Sequence, residues 1–550
     1  MLTRLIQLKS SVYSEMVSHF RLLSMDKKSF FEYLSSPYRI ILITIFTILF
    51  IPHVFVVVHD INFVTAYEVD PGSIIQSILS LLQHAYNMNA AYHSRYYGWT
   101  YFSMNYFLLM PIYLAKVLKI VTDDYYLFVG IRFIFFMIGL ASVLAYFEVV
   151  KRTLKHTLLS FTAALLYLAS PITSKFFYWI HPETTGLLFL FISLICLTRF
   201  NEVQAEDYRW YTFGLLTIVL SVLSKHVFLF TAIPIIFLFI YFYCHHHKKS
   251  IFGFLVSKQF AKVLLATIAF SALIFFLINP FAFFQPKVFI ANQIYLFSSQ
   301  TQSSVTSTEA MGLWLNIIKT VPIIFISIIL FPFTFLGAII LWRNQKTGMM
   351  LYVVNILSAI LFVIIISITQ RFLYTEFYFA PIYPFFVLNL ISVPLYITRK
   401  WKAGFIKLLT ILSLIYFLFF ILVGDFSVSL PTGYDRLNYQ NSATYKVYNY
   451  IEENIPNDSK IAHDHFVAIP SDKGIIACHF WQGCGTDYIE EFKPDYVIFD
   501  ENWTCCGKNL STDRLKKYIS DHHFILIDTI VGNNIGVGNH SIGVWKKPDP

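Results

Sequence analysis

Charged residues are scarce in this sequence. They make up 13% of its 550 residues, whereas apolar residues make up 57%. A soluble domain with so little charge could not solvate its surface, so the composition excludes an ordinary water-soluble protein and predicts a chain that lies mostly in lipid. Ser-His-Asp nucleophile contexts, Gly-rich phosphate loops and the HExxH zinc motif are absent as well, so no enzyme class that depends on them is supported.

A cleavable signal peptide is also lacking. The segment 1–37 alternates polar and apolar residues and has no compact apolar core followed by a small-residue cleavage site, so we expect the first span to be retained. The formal net charge of +9 comes from basic residues in short loops, without a basic stripe interleaved with aromatic residues. We therefore predict no nucleic-acid partner.

Apolar runs long enough to cross a bilayer recur from Arg39 almost to Asp425. They predict a polytopic α-helical membrane protein with about 11–13 transmembrane helices, since each crossing needs about 20 apolar residues. The predicted spans are 40–58, 102–118, 126–149, 157–174, 182–198, 211–224, 226–243, 260–280, 320–342, 350–368, 376–396 and 404–424, of which 211–224 is short enough for a half-span.

Basic residues in the short loops predict the orientation. They predict a cytoplasmic N-terminal segment over 1–39 and a transmembrane domain over 40–424. Exterior loops are expected at 59–101 and 281–318, followed by an exterior domain over 425–550. An inside N-terminus and an outside C-terminus need an odd number of crossings, but the predicted spans are even in number. One span must be wrong, and the region 102–156 is suspect because Lys151, Arg152 and Lys155 fit simple alternation poorly.

The exterior segment after the last span changes character and gains turn residues, charges and alternating patterns. PDYVIFD and HFILIDTIV predict buried strands, and SATYKVYNYIEENIP and DRLKKYISDHH predict helices, the first of them stopped by Pro456. These patterns together predict a small C-terminal α/β extracytoplasmic domain.

Four of the six cysteines, Cys478, Cys484, Cys505 and Cys506, fall in this C-terminal segment. An even set in an exported domain predicts disulfides. Free thiols or a zinc cluster are the alternatives, although no spacing here is a standard zinc pattern.

Two carboxylates, Glu68 and Asp70 in the stretch YEVDPGS, follow the first span. A carboxylate there could deprotonate an acceptor hydroxyl or amine, or hold a divalent metal; the alternative is loop charge in solvent. A turn forced by Pro71-Gly72 could bring both carboxylates toward one pocket. The segment 72–84, GSIIQSILSLLQH, places its apolar residues on one helical face and is too short to span. It predicts an amphipathic helix in the membrane interface.

Further polar residues lie inside or at the rim of predicted spans, where charge is costly and usually faces a cavity. They are Glu183 in HPETTG, Lys225 in VLSKHVF, Arg371 and Tyr374 in QRFLYTEFYFAPIYP, and Arg95 in SRYYGWTYF. The cations could hold a phosphate. The alternatives are a loop at Lys225, a helix N-terminal carboxylate at Glu183, an interfacial anchor at Arg371 and an aromatic belt around Arg95.

The order of these motifs resembles the GT-C superfamily of polyprenyl-phosphate-sugar-dependent glycosyltransferases, which includes protein O-mannosyltransferases (glycosyltransferase family 39) and the lipid A aminoarabinose transferase. The resemblance covers roughly residues 40–400. It is carried by YEVDPGSIIQSILSLL, RYYGWTYFSMNYFLLMPIYLAKVL, SPITSKFFYWIHPETTGLLFLFISL, GLLTIVLSVLSKHVFLFTAIP, INPFAF and RFLYTEFYFAPIYPF. In that superfamily an acidic motif precedes an amphipathic helix in the first exterior loop. Asp70 takes its first position, and Pro71 stands where the second acidic residue would be.

The resemblance implies a polyprenyl-phosphate sugar donor that enters from membrane lipid, and an acceptor that could be a protein, a lipid or a glycan. Asp70 is the implied general base, Glu68 would orient the acceptor or share a divalent metal, and Lys225 and Arg371 would stabilise the departing phosphate. The expected location is a bacterial inner membrane. A transporter or lipid flippase is the alternative, but it predicts an inverted repeat that the sequence lacks. A membrane anchor whose tail binds a partner is another.

Overall fold

The computed structural model describes residues 36–55, 62–63, 69–89, 94, 97–122, 124–169, 177, 179–301, 336–337, 339–340, 380–400, 438–464, 466–471, 473–479, 489–500, 510–534 and 538–548. Predictions that fall elsewhere, including the spans 350–368 and 404–424 and most of 320–342, lie outside the described residues.

The helices of the membrane part follow the predicted apolar runs closely. They are α1 (Pro37–Phe50), α2 (Val69–Gln83), α3 (Trp99–Val117), α4 (Tyr125–Leu154), α5 (Thr157–Ala169), α6 (Glu183–Glu202), α7 (Tyr208–Ser224), α8 (Leu229–His246), α9 (Ile251–Leu255), α10 (Lys258–Ile278), α11 (Phe281–Phe284), α12 (Pro286–Thr301) and α13 (Tyr383–Lys400). Short 3-10 turns cover Ile51–His53, at the end of α1, and His226–Phe228, between α7 and α8.

Four of the described helices are long and apolar enough to cross a membrane: Tyr125–Leu154, Glu183–Glu202, His226–His246 and Phe260–Ile278. The segments Pro37–His53, Thr157–Leu168 and Tyr383–Pro394 form shorter apolar helices. The predicted span at 102–118 is helical, but α3 is not one of these four helices. A polytopic α-helical membrane protein is thus confirmed.

Charged side chains join the helix ends at one end of the bundle. Arg39 in α1 donates to Glu148 in α4 at 3.0 Å, and Glu148 also pairs with Arg152 at 2.9 Å. Arg152 then reaches Glu202 at the end of α6 at 3.4 Å. Next to Glu202, Asn201 bonds to His246 at the end of α8 at 2.9 Å. We call the end formed by these residues the basic end.

Helix α4 runs opposite to α1 and carries α3 along its first half. Arg39, near the start of α1, pairs with Glu148, near the end of α4, so α4 starts at the end opposite the basic end. Helix α3 packs along the first half of α4, with Leu109 against Gly130 and the Tyr101 ring 6.4 Å from that of Phe135. The segment 102–118 is thus helical, and its crossing of the membrane stays a prediction.

Close packing fixes α6 against the break between α7 and α8. Gly186, one turn into α6, lies so near the Phe228 ring that a Cβ at this position would overlap it. The Gly186 carbonyl accepts a hydrogen bond from Ser221 Oγ at 2.7 Å. The absence of a side chain at Gly186 is what allows Phe228, and with it the break, to approach α6.

The C-terminal domain contains a five-stranded mixed sheet. Its helices are α14 (Ala443–Asn454), α15 (Ile489–Phe492) and α16 (Leu510–Asp521), and its strands are β1 (Lys460–His463), β2 (Ile476–His479), β3 (Tyr496–Asp500), β4 (Ile525–Asn534) and β5 (Gly538–Lys546). The strand order is β2-β1-β3-β5-β4, with β1 parallel to β2 and β3, and β5 antiparallel to β3 and β4. Ser442 caps α14, and the predicted α/β domain is confirmed.

The two predicted buried strands have different environments. Strand β3 is buried at all five positions, as predicted. Strand β4 forms an edge of the sheet, and the side chains of Ile525, Leu526, Ile527 and Val531 are exposed. Its apolar run predicts a strand correctly but not its burial, because neighbour pairing and not composition decides which strand is central.

A buried polar network joins the ends of β1 and β3. Asp464, just after β1, accepts hydrogen bonds from the backbone N–H of Asp500 at 2.6 Å and of Phe466 at 2.9 Å. The Asp500 carboxylate in turn contacts His540 Nδ1 on β5. Burial is the main cause that raises the pKa of Asp464 to about 7, although the two backbone donors act in the opposite direction.

We expect Gly186→Ala to lower the thermal stability of the purified protein, because the added methyl group must displace the Phe228 ring. The expected cost is about 1–3 kcal/mol, as for other overpacked cores. Gly253→Ala in α9 is the matched control, since the nearest atom to a Cβ there is 3.6 Å away. Thermal unfolding in detergent measures both variants, and equal melting temperatures would contradict the packing described.

The raised pKa of Asp464 predicts that the C-terminal domain loses stability as pH rises. Folding takes up a proton between the unfolded value of 3.8 and the folded value of about 7. The stabilisation is therefore complete below about pH 4 and lost progressively up to about pH 7. Amide hydrogen exchange of β1 and β3 in the full chain at pH 5 and pH 8, corrected for intrinsic rates, measures it. Asp464→Asn should reduce the difference in exchange between pH 5 and pH 8. Because His540 faces the same network, His540→Gln is measured in parallel.

Candidate active site

Glu183 and Lys225, chosen separately from the sequence, meet in the structure. Glu183 is the first residue of α6 and is completely buried, and one of its carboxylate oxygens pairs with Lys225 Nζ. The other oxygen contacts Nδ1 of His181, which is itself buried. The site is thus a buried carboxylate held between an ammonium group and an imidazole.

The sequence offered two alternatives, a loop at Lys225 and a helix N-terminal carboxylate at Glu183. Both describe the backbone correctly, but neither predicts that the two side chains pair. Lys225 lies at the break between α7 and the 3-10 turn, in an extended conformation with φ −159° and ψ 135°. Glu183 is a carboxylate at a helix N-terminus, where the helix dipole stabilises negative charge. Because Glu183 is not exposed to water, its charge needs partners, and Lys225 and His181 supply them.

The residues just before α3 cover this ion pair. The Tyr97 ring lies 5.4 Å from Lys225 Nζ, within reach of a cation–π contact, and its centroid is 6.4 Å from the His181 ring. Gly98 adopts a left-handed φ of 78°, and a Cβ there would lie 3.0 Å from Pro182. This close approach brings Tyr97 over the pair, and only glycine fits it without strain.

Two further contacts hold the loop in place next to Lys225. Trp99 packs edge-on against His226, with ring centroids 5.4 Å apart, and its indole N–H donates to the Ser94 carbonyl at 2.9 Å. Thr100 Oγ1 donates to the carbonyl of Leu220, in the last turns of α7, at 2.8 Å. The loop that follows α2 is therefore tied to the helices that carry Lys225.

Asp70 lies in the first turn of α2, which begins at Val69. The helix is predicted correctly, but its surroundings are not those of an interfacial helix. Its apolar side chains, including Ile74, Ile75 and Ile78, are almost completely buried in a cluster with residues of α3 and α4. The apolar face of α2 thus packs against protein, because α3 and α4 present a matching apolar surface.

Several predicted site residues lie outside the described residues: Glu68, Arg95, Arg371, Tyr374 and the side chain of Asp70. The structure does not test their predicted roles, and they stay predictions. Within the described part of the chain no group of His, Cys, Asp or Glu side chains has metal-binding geometry. A divalent metal at Glu68 and Asp70 is therefore untested as well.

Cys478, on β2, is disulfide-bonded and buried. The other cysteines of the C-terminal domain, Cys484, Cys505 and Cys506, lie outside the described residues, so the connectivity stays open. Cys196 and Cys244 are buried free thiols in the membrane helices.

Sequence reasoning missed His181, Tyr97 and Arg132. His181 and Tyr97 have no periodicity or spacing that marks them, because they reach Glu183 and Lys225 only through the fold. The sequence does mark Arg132, because this residue interrupts the apolar run YYLFVGIRFIFF in the same way as Lys225 interrupts the apolar run around it. It is buried in α4, with its guanidinium 3.5 Å from the His53 carbonyl. A charge inside a span is costly and usually functional.

The Lys225 ammonium lies beside a buried carboxylate. Ammonium N–H groups donate hydrogen bonds to phosphate oxygens. The surrounding protein excludes most water, because the side chain of Lys225 is 16% exposed. Electrostatic attraction between this ammonium and an incoming anion is therefore stronger than it would be in water.

No protein-family model and no curated protein sequence matches this chain. Two solved structures are similar to it over most of its length. One is ArnT from Cupriavidus metallidurans, with a TM-score of 0.49 and 9% identity over 92% of this chain and 97% of that chain. Another is the oligosaccharyltransferase of Archaeoglobus fulgidus, with a TM-score of 0.44 and 16% identity over 84% of this chain and 69% of that chain.

The ion pair predicts a specific pattern of stability in a mutant cycle. Lys225→Met and Glu183→Gln each leave one buried charge without its main partner, which costs about 3–5 kcal/mol. The double variant Glu183→Gln/Lys225→Met is neutral and should recover most of the melting temperature in detergent. Additive losses in the double variant would contradict a direct ion pair.

Proposed function

We propose that this chain is an integral-membrane glycosyltransferase that transfers a sugar from a polyprenyl-phosphate donor to an acceptor on the extracytoplasmic face. The observation that carries the proposal is the Lys225–Glu183 pair, buried at the break between α7 and α8 beneath the loop that follows α2. A membrane enzyme acting on a lipid phosphate needs a desolvated cation at the level of the lipid headgroups.

The location of Lys225 supports a role on the exterior face. The basic end carries Arg39, Arg152 and Arg199, and cytoplasmic loops are the ones enriched in Lys and Arg. Glu183 and Lys225 lie at the other end of their helices, which the rule assigns to the exterior. We therefore propose a multi-pass protein, in keeping with a bacterial inner membrane, with its C-terminal domain outside.

Each site residue receives a role in an inverting displacement. The bond between the anomeric carbon and the donor phosphate oxygen breaks, and the polyprenyl phosphate leaves with the electron pair. The acceptor oxygen or nitrogen forms the new bond, and its proton passes to the Asp70 carboxylate. Lys225, with Arg371, stabilises the charge that develops on the leaving phosphate. Arg95 and Tyr374 contact the donor, and Glu68 orients the acceptor or shares a divalent metal.

The position of Asp70 suits a general base. Residues in the first turn of a helix experience the positive end of the macrodipole, which keeps a carboxylate ionised and able to accept a proton. The chain that leaves α2 then runs to Tyr97 and Trp99, which contact Lys225 and His226. One loop therefore carries the proposed base and covers the proposed phosphate site.

Asp70→Asn should abolish sugar transfer without loss of folding, because the amide cannot accept the acceptor proton. The expected loss is about 10²–10⁴-fold. The assay is transfer of radiolabelled sugar from a panel of polyprenyl-phosphate sugars to membrane acceptors. Asp207→Asn is the matched control, because Asp207 also begins a helix, caps α7 far from Lys225, and Asn caps equally well.

The neutral double variant separates the role of Lys225 in sugar transfer from its role in stability. Glu183→Gln/Lys225→Met should fold but transfer no sugar, since it lacks the cation for the leaving phosphate. Wild-type transfer by that variant would remove Lys225 from the mechanism. Transfer retained in Asp70→Asn would exclude Asp70 as the base, and no transfer from any donor by the wild type would favour a transporter or flippase.

A further inference from the structure

Phe63 connects the first exterior loop to the C-terminal domain. It lies between α1 and α2, seven positions before Asp70 in the sequence, and only 2% of it is exposed. Its ring is surrounded by the rings of Tyr439, Tyr445 and Tyr448, at centroid distances of 5.8, 6.0 and 5.9 Å. We call these three tyrosines the aromatic socket.

The contacts in the socket are edge-on and therefore directional. The interplanar angles between Phe63 and the three tyrosines are 69°, 86° and 86°, which is the T-shaped arrangement that aromatic pairs favour. Tyr445 and Tyr448 are three residues apart on α14, so they share one face of that helix. Tyr439 packs edge-on against Tyr445 at 4.9 Å. The socket is thus a built feature of the domain that fixes where the Phe63 ring can sit.

Two contacts beside the socket extend the attachment. Asn62 Nδ2 donates to the Ile469 carbonyl at 3.0 Å. Ala468, next to Ile469, is buried in the same apolar cluster as the buried face of α2. The C-terminal domain therefore contacts the chain before Asp70 and contributes to the apolar cluster in which α2 is buried.

We propose that Phe63 is a positioning residue, through which the C-terminal domain sets the position of α2, whose first turn includes Asp70. The inference rests on the proposed glycosyltransferase function. A general base must lie within hydrogen-bond reach of its proton, and misplacement by about 1 Å can cost about 10²-fold in rate. After α2, the chain is held near the ion pair by Tyr97 and Trp99. Before α2, it is held by Phe63.

The test compares Phe63→Ala with wild type in the full-length protein, using polyprenyl-phosphate sugar as donor. We expect kcat to fall about 10–100-fold while the KM for donor stays nearly constant, because the phosphate site at Lys225 is intact. Phe252→Ala is the matched control, since Phe252 is 76% exposed on α9 and its loss should leave kcat unchanged. Phe63→Leu, which keeps bulk in the socket, should recover part of the lost kcat.

Two further measurements distinguish positioning from simple loss of fold. Amide hydrogen exchange in the first turn of α2 should rise in Phe63→Ala and not in Phe252→Ala. Tyr445→Ala should lower kcat as Phe63→Ala does, Tyr445→Phe should not, and the double variant Phe63→Ala/Tyr445→Ala should be no worse than the poorer single variant.

Each contrary result has a defined meaning. Unchanged exchange in Phe63→Ala, wild-type kcat in that variant, or additive kcat losses in the double variant would each overturn the positioning role. Absence of transfer by the wild type from every donor would instead overturn the proposed function and the catalytic part of this inference. The two failures are distinguishable, because the exchange experiment needs no activity.

Discussion

The ion pair between Glu183 and Lys225 is the contact on which the arrangement of the candidate site depends. A completely buried carboxylate is not tolerated without a partner, so the start of α6 and the break between α7 and α8 must lie side by side. Gly186 permits this approach, because it leaves room for Phe228 one turn further on. The same constraint holds Lys225 next to Tyr97, whose ring faces the ammonium group.

Charge is distributed unequally between the two ends of the bundle. The same charged groups that pair the helices also bear on the orientation of the chain in the membrane. At the basic end, Arg39, Arg152 and Arg199 pair with two carboxylates, Glu148 and Glu202, so cations exceed carboxylates in this network. At the opposite end, Lys225 is balanced by the buried carboxylate of Glu183. In the proposed orientation the basic end is cytoplasmic, and the opposite end contains the proposed phosphate site.

The sequence was sufficient for properties that depend on local composition. Apolar runs located the helices, the stop at Pro456 bounded the end of α14, and interior charges singled out Glu183 and Lys225, which pair in the structure. It was insufficient where burial depends on neighbours. The apolar run of β4 predicts a buried strand, yet β4 is exposed because it ends the sheet. His181, Tyr97 and Phe63 carried no usable signal, because each acts through a residue distant in sequence.

Residues from far apart in the chain therefore contact the segment between α1 and α3. Its beginning is held at Phe63 by tyrosines of the C-terminal domain, and its end is held by Trp99 and Thr100 against α7 and the break that follows. Between these anchors α2 buries its apolar face against α3 and α4. A loop fixed at both ends loses little entropy when substrate binds. Movement of the C-terminal domain would shift the beginning of the loop while the end stayed attached to Lys225's helices, so the distance between the proposed base and the phosphate site depends on that domain.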